Sequence, residues 1–414
     1  MKEGKSFNIS QKQILAAYKL VKANKGAGGV DGIEFEAYER DLKNNLYKLW
    51  NRMSSGSYFP KSVKGVEIPK KNGKMRLLGI PTIEDRVAQM VVKMVLEPLV
   101  EPVFYEDSYG YRPNKSALDA VGKTRERCWK YPWLLEFDIV GLFDNINHEK
   151  MMSAVKVHTQ EKWIILYVER FLKAPMKMPN GEIKERLTGT PQGGVISPVL
   201  ANLFLHYAFD KWISKNFNTI PWERFADDAV VHCKNQIEAN LILSQLKERM
   251  NECGLELHPE KTKIVYCQSD KNNGNHENQT FDFLGYTFRK RQVKSKYGEF
   301  FNGFTPAVSK SAAKSLRNKI KKERLFGNVL SLEEFAEAIN PIIRGWANYF
   351  MKYSPSIAKK EIDYVNIAIL LWIKRKYKKV GKSWRRAWKM LVSLAKFKPD
   401  LFYHWSLGIR PTIG

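Results

Sequence analysis

Two short apolar stretches carry carboxylates where a buried strand tolerates none: LLEFDIV, residues 134–140, and FADDAVV, residues 225–231. In the first, strand alternation puts Leu135 and Phe137 on one face and Glu136 and Asp138 on the other. In the second, Asp227 and Asp228 stand at a turn between apolar half-strands, where glycine or asparagine is the usual choice. Taken singly, each has an ordinary reading, a solvated turn in one case and a helix cap in the other. If the two stretches pair in one sheet, however, Asp138, Asp227 and Asp228 converge at one end of it. Crowded carboxylates repel, so such a cluster needs a cation to stay ionised away from water. All the donors are hard oxygens with no histidine or cysteine nearby, which suits Mg²⁺. Two such ions about 4 Å apart stabilise the attacking and leaving oxygens of a phosphoryl transfer.

Charge narrows the partners. The chain has 414 residues, 69 Lys and Arg against 43 Asp and Glu, and a formal net charge of +26. That excess strains a compact fold unless a polyanion neutralises it, so nucleic acid is the first candidate and an anionic membrane surface the second. Insertion into a membrane is not expected. The longest clean apolar run, Ile367 to Ile373, is far short of the roughly 20 residues a spanning helix needs. The start, MKEGKSFNIS, has no apolar core of the signal-peptide kind. Cys128, Cys233, Cys253 and Cys267 lie far apart with no CxxC spacing, which reads as reduced thiols in a cytoplasmic protein, without disulfide or zinc site.

The chain is organised as α+β. Ser10 and Gln13 form a capping-box pattern ahead of a helix that stops near Gly26. A glycine-rich link, GAGGVDG, leads to a second helix ending near Trp50. In VEIPKKNGKMRLLGIP, residues 66–81, Asn72-Gly73 between apolar runs predicts a hairpin. A long helix follows from about Glu84 to Pro102. Strands are expected at Trp133–Ile139, Trp222–Val231, Thr262–Val265 and Phe281–Phe288, with helices at Ser197–Phe217 and Glu238–Met250 and a loop over 268–280. Beyond residue 306 the composition shifts. Residues 310–324 hold seven basic side chains and one acid, and residues 372–389 hold nine and none, interleaved with Trp372, Tyr377, Trp384 and Trp388. Apolar residues at helical spacing between these runs predict an all-helical domain.

Seven blocks then resemble, in order, the reverse transcriptases encoded by group II introns: VEIPKKNGKMRLLGIPTIEDRVAQ, DSYGYRPNKSALDAV, FDIVGLFDNINH, GTPQGGVISPVLANLFLH, FADD, GLELHPEKTKIV and FDFLGYTF. The resemblance implies a right-hand polymerase, with fingers and an antiparallel palm sheet, followed by an all-helical thumb or maturase domain. It divides the chain into an N-terminal extension (1–60), fingers and palm (61–305), thumb (306–397) and a short tail (398–414). The implied activity is RNA-directed DNA polymerisation for a mobile group II intron, with binding of intron RNA to promote splicing. Implied partners are group II intron RNA, an RNA template with a DNA primer, dNTPs and target DNA, with no membrane. No Cys/His cluster follows the thumb, so the resemblance is to the compact class that lacks the endonuclease domain. Two other readings are a splicing maturase without polymerase activity, and a domesticated reverse transcriptase in phage defence or DNA repair.

The same resemblance assigns roles to residues. Asp138 and Asp227 are the principal ligands of two Mg²⁺ ions, with Asp228 as third carboxylate and the carbonyl of Ile139 as an added donor. Lys70, Lys71 and Arg76 pair with the triphosphate, as an Arg fork and Lys point charges suit. Phe143 lies beneath the sugar, where its ring would collide with a 2′-OH, although an ordinary core aromatic fits the pattern too. Gln192 stands near the nascent base pair, with Gly193 and Gly194 permitting close backbone approach. Lys261, or Lys263 in its place, faces the pyrophosphate. Phe283, Leu284 and Gly285 grip the primer, and Phe225 stands where the family more often has tyrosine. Lys310, Lys314, Arg317, Lys321, Arg375, Lys379, Arg385 and Arg386 hold duplex or intron RNA through phosphates.

Overall fold

Local signals in the sequence set the first elements of the fold. Gln13 N donates to Ser10 Oγ (3.2 Å) and Ser10 N to Gln13 Oε1 (2.8 Å), closing the capping box at the start of the helix Gln11–Ala23. Thr82 caps the helix Ile83–Val100 in the same way, through Asp85 N. The computed structural model describes residues 6–69, 73, 75–295, 297–326 and 331–412. Two compact units result, Met1–Ala120 with Leu135–Lys263, and Val121–Leu134 with Ile264–Gly414. The mixed helix-and-sheet class expected from the sequence is the class observed.

In the first unit, β1 (Val63–Pro69) and β2 (Met75–Ile80) form the expected antiparallel hairpin, in register from Lys64↔Ile80 to Pro69↔Met75. Its tip, with Lys70 and Lys71, lies outside the described residues. The helix Ile83–Val100 is buried almost all round, and its buried polar side chains are bonded. Asp85 accepts from Thr82 Oγ1 (2.6 Å), Arg86 donates to Ala27 O (2.6 Å), and Gln89 Oε1 accepts from Val195 N (2.7 Å).

Strand β3 (Trp133–Asp138) precedes the short strands β4 (Met176–Lys177) and β5 (Ile183–Lys184), which extend the β1–β2 sheet in the order β2-β1-β4-β5. Strands β6 (Trp222–Phe225) and β7 (Asp228–Cys233) form an antiparallel hairpin, Phe225 facing Asp228 and Trp222 facing Val231. The strand expected over Trp222–Val231 is therefore two strands, joined where Ala226 takes a left-handed φ of 57°. With β8 (Lys263–Tyr266) these strands make a sheet in the order β6-β7-β3-β8, so the two carboxylate-bearing strands are neighbours.

The second unit holds β9 (Phe281–Phe283), β10 (Tyr286–Lys294) and β11 (Phe300–Val308), with β10 central. The single strand expected over Phe281–Phe288 is corrected to a tight hairpin. Leu284 (φ 51°) and Gly285 (φ 82°) are both left-handed, so the chain reverses there and Phe283 pairs with Tyr286. Helices Lys310–Phe326, Leu332–Phe350, Pro355–Lys376 and Trp384–Phe397 pack around Phe335, Ile339, Ile369, Trp372 and Leu391, with Phe335 stacked on Trp372 at 5.6 Å. All four cysteines are buried and none is in a disulfide. Among the described residues no helix is long and apolar enough to cross a membrane.

Candidate active site

Asp138 ends β3, and on the neighbouring strand Asp227 closes the β6–β7 turn and Asp228 opens β7. A side-chain hydrogen bond joins Asp228 to Asp138. Asp138 is 7 % exposed. Burial first, then the charges of Asp227 and Asp138, push the pKa of Asp228 up to about 7. The open side of Asp228 faces water, which weakens that push without reversing it. Asp227 is raised as well, by burial and by the Asp138 charge.

Lys261 answers this crowding. Its Nζ lies 2.6 Å from Asp138 Oδ2, whereas Lys263 Nζ stands 3.4 Å from Glu136 Oε2, one step back along β3. Partial burial alone would lower the Lys261 pKa, but the hydrogen bond and charge of Asp138, with Asp228 and Asp227 beyond, carry it upward. The segment leading to Lys261 is laced to the end of β3. Val140 N donates to Glu256 O (2.8 Å), His258 N donates to Asp138 O (2.8 Å), and Ile139 bridges Leu257.

A second cluster surrounds Phe143, which is 8 % exposed in the short helix Leu142–Asn145. Thr190 N donates to Phe143 O (2.6 Å) and Gly79 N to Gln192 O (3.0 Å), so the TPQGG loop ties this helix to β2. Gln192 sits between two charges: its Oε1 accepts from Arg76 Nε (2.5 Å) and its Nε2 donates to Asp144 Oδ2 (3.2 Å). Gly193 has φ 134°, and a Cβ there would meet Gly79 O at 2.5 Å. Tyr111 stands between Phe143 and Phe225, 6.4 Å from each ring.

No motif marked the support beneath the turn. Arg224 is 1 % exposed and Asp210 0 %, and they pair through two bonds of 2.7 Å. The guanidinium also donates to Asn202 Oδ1 (3.1 Å), Ser108 Oγ (2.9 Å) and Ala226 O (3.3 Å). Asn202 in turn donates to Gly110 O (2.6 Å), and Gly110 packs so closely that a Cβ there would lie 2.4 Å from Ala226 N. Asp210 reaches this position at the end of a π-helical turn, His206–Asp210. Asp144, Tyr111 and Arg224 all lie within or beside the recognised blocks, and adjacency to those blocks was the one signal that marked them.

The remaining candidates lie in the second unit. Phe283, Leu284 and Gly285 form the β9–β10 turn, where Leu284 O accepts from Tyr349 Oη (2.8 Å) and Gly285 approaches the Phe350 ring. Lys310, Lys314, Arg317 and Lys321 stand exposed along one helix that buries Ala313, Leu316 and Ile320. Arg317 pairs with Glu361. Arg375, Lys379, Arg385 and Arg386 are exposed too.

Among the described residues no group of three or more carboxylate, histidine or cysteine side chains is already gathered to hold a metal ion. Asp138 is instead paired with Lys261. The chemistry of the donors nonetheless fits a hard divalent cation. All are oxygens, and Asp227 and Asp228 hold protons more tightly because of burial and then of their charged neighbours, a tension that such a cation relieves.

Comparison with known proteins agrees with this geometry. Residues 68–288 match the family described as "Reverse transcriptase (RNA-dependent DNA polymerase)", and the chain belongs to that family. Residues 313–390 match the family described as "Group II intron, maturase-specific domain". Protein YkfC of Escherichia coli K12 is 30% identical over 377 residues, covering 78% of this chain and 92% of that protein. The group II intron-encoded protein LtrA of Lactococcus lactis subsp. cremoris is 35% identical over 198 residues, 48% of this chain and 33% of LtrA, so that match spans a third of LtrA's length. A solved structure of telomerase from Candida albicans with a telomeric RNA fragment is 14% identical, covers 89% of this chain and 70% of that chain, and has a TM-score of 0.47.

Proposed function

We propose that the chain is an RNA-directed DNA polymerase of a mobile group II intron, which copies RNA into DNA and binds intron RNA to promote splicing. The observation that carries this reading is the meeting of Asp138 with the Asp227–Asp228 turn, beside Lys261, inside the segment that matches the reverse transcriptase family. The reaction is attack of a primer 3′-OH on the α-phosphate of a dNTP, with release of pyrophosphate. Asp138, Asp227 and Asp228 would hold two Mg²⁺ ions, aided by the Ile139 carbonyl, and these supply charge stabilisation to the attacking and leaving oxygens.

The chain's own residues do the rest. Arg76 turns from Gln192 to the triphosphate, joined by Lys70 and Lys71. The Phe143 ring excludes a 2′-OH, and Gln192 and Gly193 support the nascent pair. Lys261, exposed over much of its side chain, leaves Asp138 for the pyrophosphate and neutralises it. Phe225 and the turn Phe283–Gly285 contact the primer, while the exposed basic residues of the helices hold duplex or intron RNA. The proposed layout is extension, fingers and palm, thumb and tail, at 1–60, 61–305, 306–397 and 398–414. The cytoplasm is the proposed location.

Primer extension on an RNA template with dNTPs and Mg²⁺, beside the Asp227→Asn protein, tests the reading. Extension by the parent alone is the expected result. Extension by both removes Asp227 from the site. Failure of both with RNA binding retained leaves a splicing maturase, the second reading that the match over residues 313–390 favours.

A further inference from the structure

The segment 186–190 is sewn along the short helix that carries Phe143 and Asp144. Thr188 Oγ1 donates to Asp144 O (3.0 Å), Asn147 bridges Thr188, and Gly189 N donates to Ile146 O (2.7 Å). Arg186, at the head of that segment, shares with Asp144 and Phe143 the wall of a cavity of about 340 Å³. Its side chain is half-buried, and both terminal guanidinium nitrogens are shut off from water without a hydrogen-bond partner. Burial pulls its pKa down to about 10, and the charge of Asp144 opposes that shift. At neutral pH the group is therefore a cation with its fork unused. Buried donors without acceptors are rare, because each costs a desolvation that nothing repays. A charged fork kept dry beside a carboxylate calls for a second state in which it has a partner.

Asp144 supplies that partner. In the free protein Gln192 spans two charges, accepting from Arg76 Nε (2.5 Å) and donating to Asp144 Oδ2 (3.2 Å). Nucleotide entry, as proposed above, draws Arg76 to the triphosphate and Gln192 to the nascent pair. Departure of Gln192 vacates an acceptor position on Asp144 Oδ2. A guanidinium fork suits a carboxylate, and pairing there offsets negative charge beside an incoming polyanion.

We propose that Arg186 is a positioning residue for nucleotide binding, whose guanidinium takes Asp144 when Gln192 leaves it. Exchange of Gln192 for Arg186 on Asp144 then accompanies entry of the dNTP. The proposal rests on the reading of the chain as a reverse transcriptase and deepens it with a residue that no motif marked. Arg186 touches neither the nucleotide nor a metal ion, and it acts through Asp144.

The test uses the full chain on an RNA template whose DNA primer ends in a dideoxynucleotide. Titration with the next complementary dNTP in Mg²⁺ then reads binding without turnover. Arg186→Met keeps an apolar stem and removes the fork, and is expected to weaken dNTP binding by about tenfold. On an ordinary primer at saturating dNTP, kcat should stay within about twofold. The free protein should melt at or above the parent, because the change removes buried donors that have no partner there. In an Asp144→Ala background the same change should alter dNTP affinity by less than about twofold. Unchanged affinity in Arg186→Met overturns the proposal, and so does an equal loss in the Asp144→Ala background. A lowered melting temperature of the free variant, with binding and kcat falling together, marks a merely structural arginine and overturns it as well. Parental extension of the ordinary primer tests the polymerase reading separately. A parent that extends beside a variant of unchanged affinity sinks the Arg186 role alone, whereas a parent that neither binds dNTP nor extends sinks both.

Discussion

Removing the Arg224 guanidinium should be the most damaging single change near the β6–β7 turn that touches none of the three clustered carboxylates. Arg224 and Asp210 are 1 % and 0 % exposed and joined by two 2.7 Å bonds, so Arg224→Ala leaves a buried carboxylate without its counter-charge. Breaking one partner of such a pair costs about 3–5 kcal/mol. The acceptors on Asn202, Ser108 and Ala226 lose their donor in the same step. The assay is urea unfolding followed by the fluorescence of the tryptophans, among them buried Trp222, two residues before Arg224 on the same strand. The apolar double variant Arg224→Met/Asp210→Leu strands no charge and should recover on the order of 2 kcal/mol or more of the loss. Arg224→Lys keeps charge but not the fork, and should lower kcat by more than it lowers stability, because the bond to Ala226 O holds the turn that carries Asp227. A loss below about 1 kcal/mol in Arg224→Ala, or a double variant no better than the single, would refute the argument.

Other perturbations read different parts of the site. Phe143→Ala removes the ring proposed to lie beneath the sugar and is expected to reduce dNTP over rNTP discrimination by about tenfold or more in single-nucleotide insertion; unchanged discrimination would place the gate elsewhere. Gly193→Ala forces a Cβ against Gly79 O at 2.5 Å at a φ of 134°, and should slow extension by about tenfold or more through displacement of Gln192. For Asp228 the folded pKa, pushed up to about 7, lies above the unfolded value, so the carboxylate loses stability for the metal-free fold as pH rises through that interval. Asp228→Asn should therefore melt above the parent at pH about 8 in EDTA, with the difference closing toward pH about 4. Equal melting temperatures at every pH would show that Asp228 is not crowded in this way.

What the sequence made legible were the features whose signal is local. The Asn72-Gly73 pair, the Ser10–Gln13 box and the acid-bearing apolar strands each carry their own cause within a few residues, and the β1–β2 hairpin, the capped helix and the β7–β3 adjacency follow. The hairpin at Leu284-Gly285 was hidden because FDFLGYTF is dominated by aromatic residues with no Asn-Gly or Asp-Gly pair, and a leucine at φ 51° is held there by its surroundings rather than by propensity. Nothing within a few residues of Arg224 marks it as buried. Only Asp210, Asn202 and Ser108, distant in sequence, make its burial possible. The β10–β11 ribbon was missed for the opposite reason. RKRQVK, residues 289–294, is too polar to read as a strand, and it pairs with β11 in a ribbon whose base is anchored by Phe281, Trp129 and Asp270.

The four buried thiols divide evenly, Cys233 and Cys253 in the first unit, Cys128 and Cys267 in the second. Each is shielded from a maleimide until its own surroundings open, so the rate of alkylation at each cysteine measures the opening free energy of that neighbourhood. Mass spectrometry of the labelled peptides thus gives the chain two built-in clocks for each unit. They report which unit loosens first under urea, and which one a bound RNA tightens, without the introduction of any foreign residue.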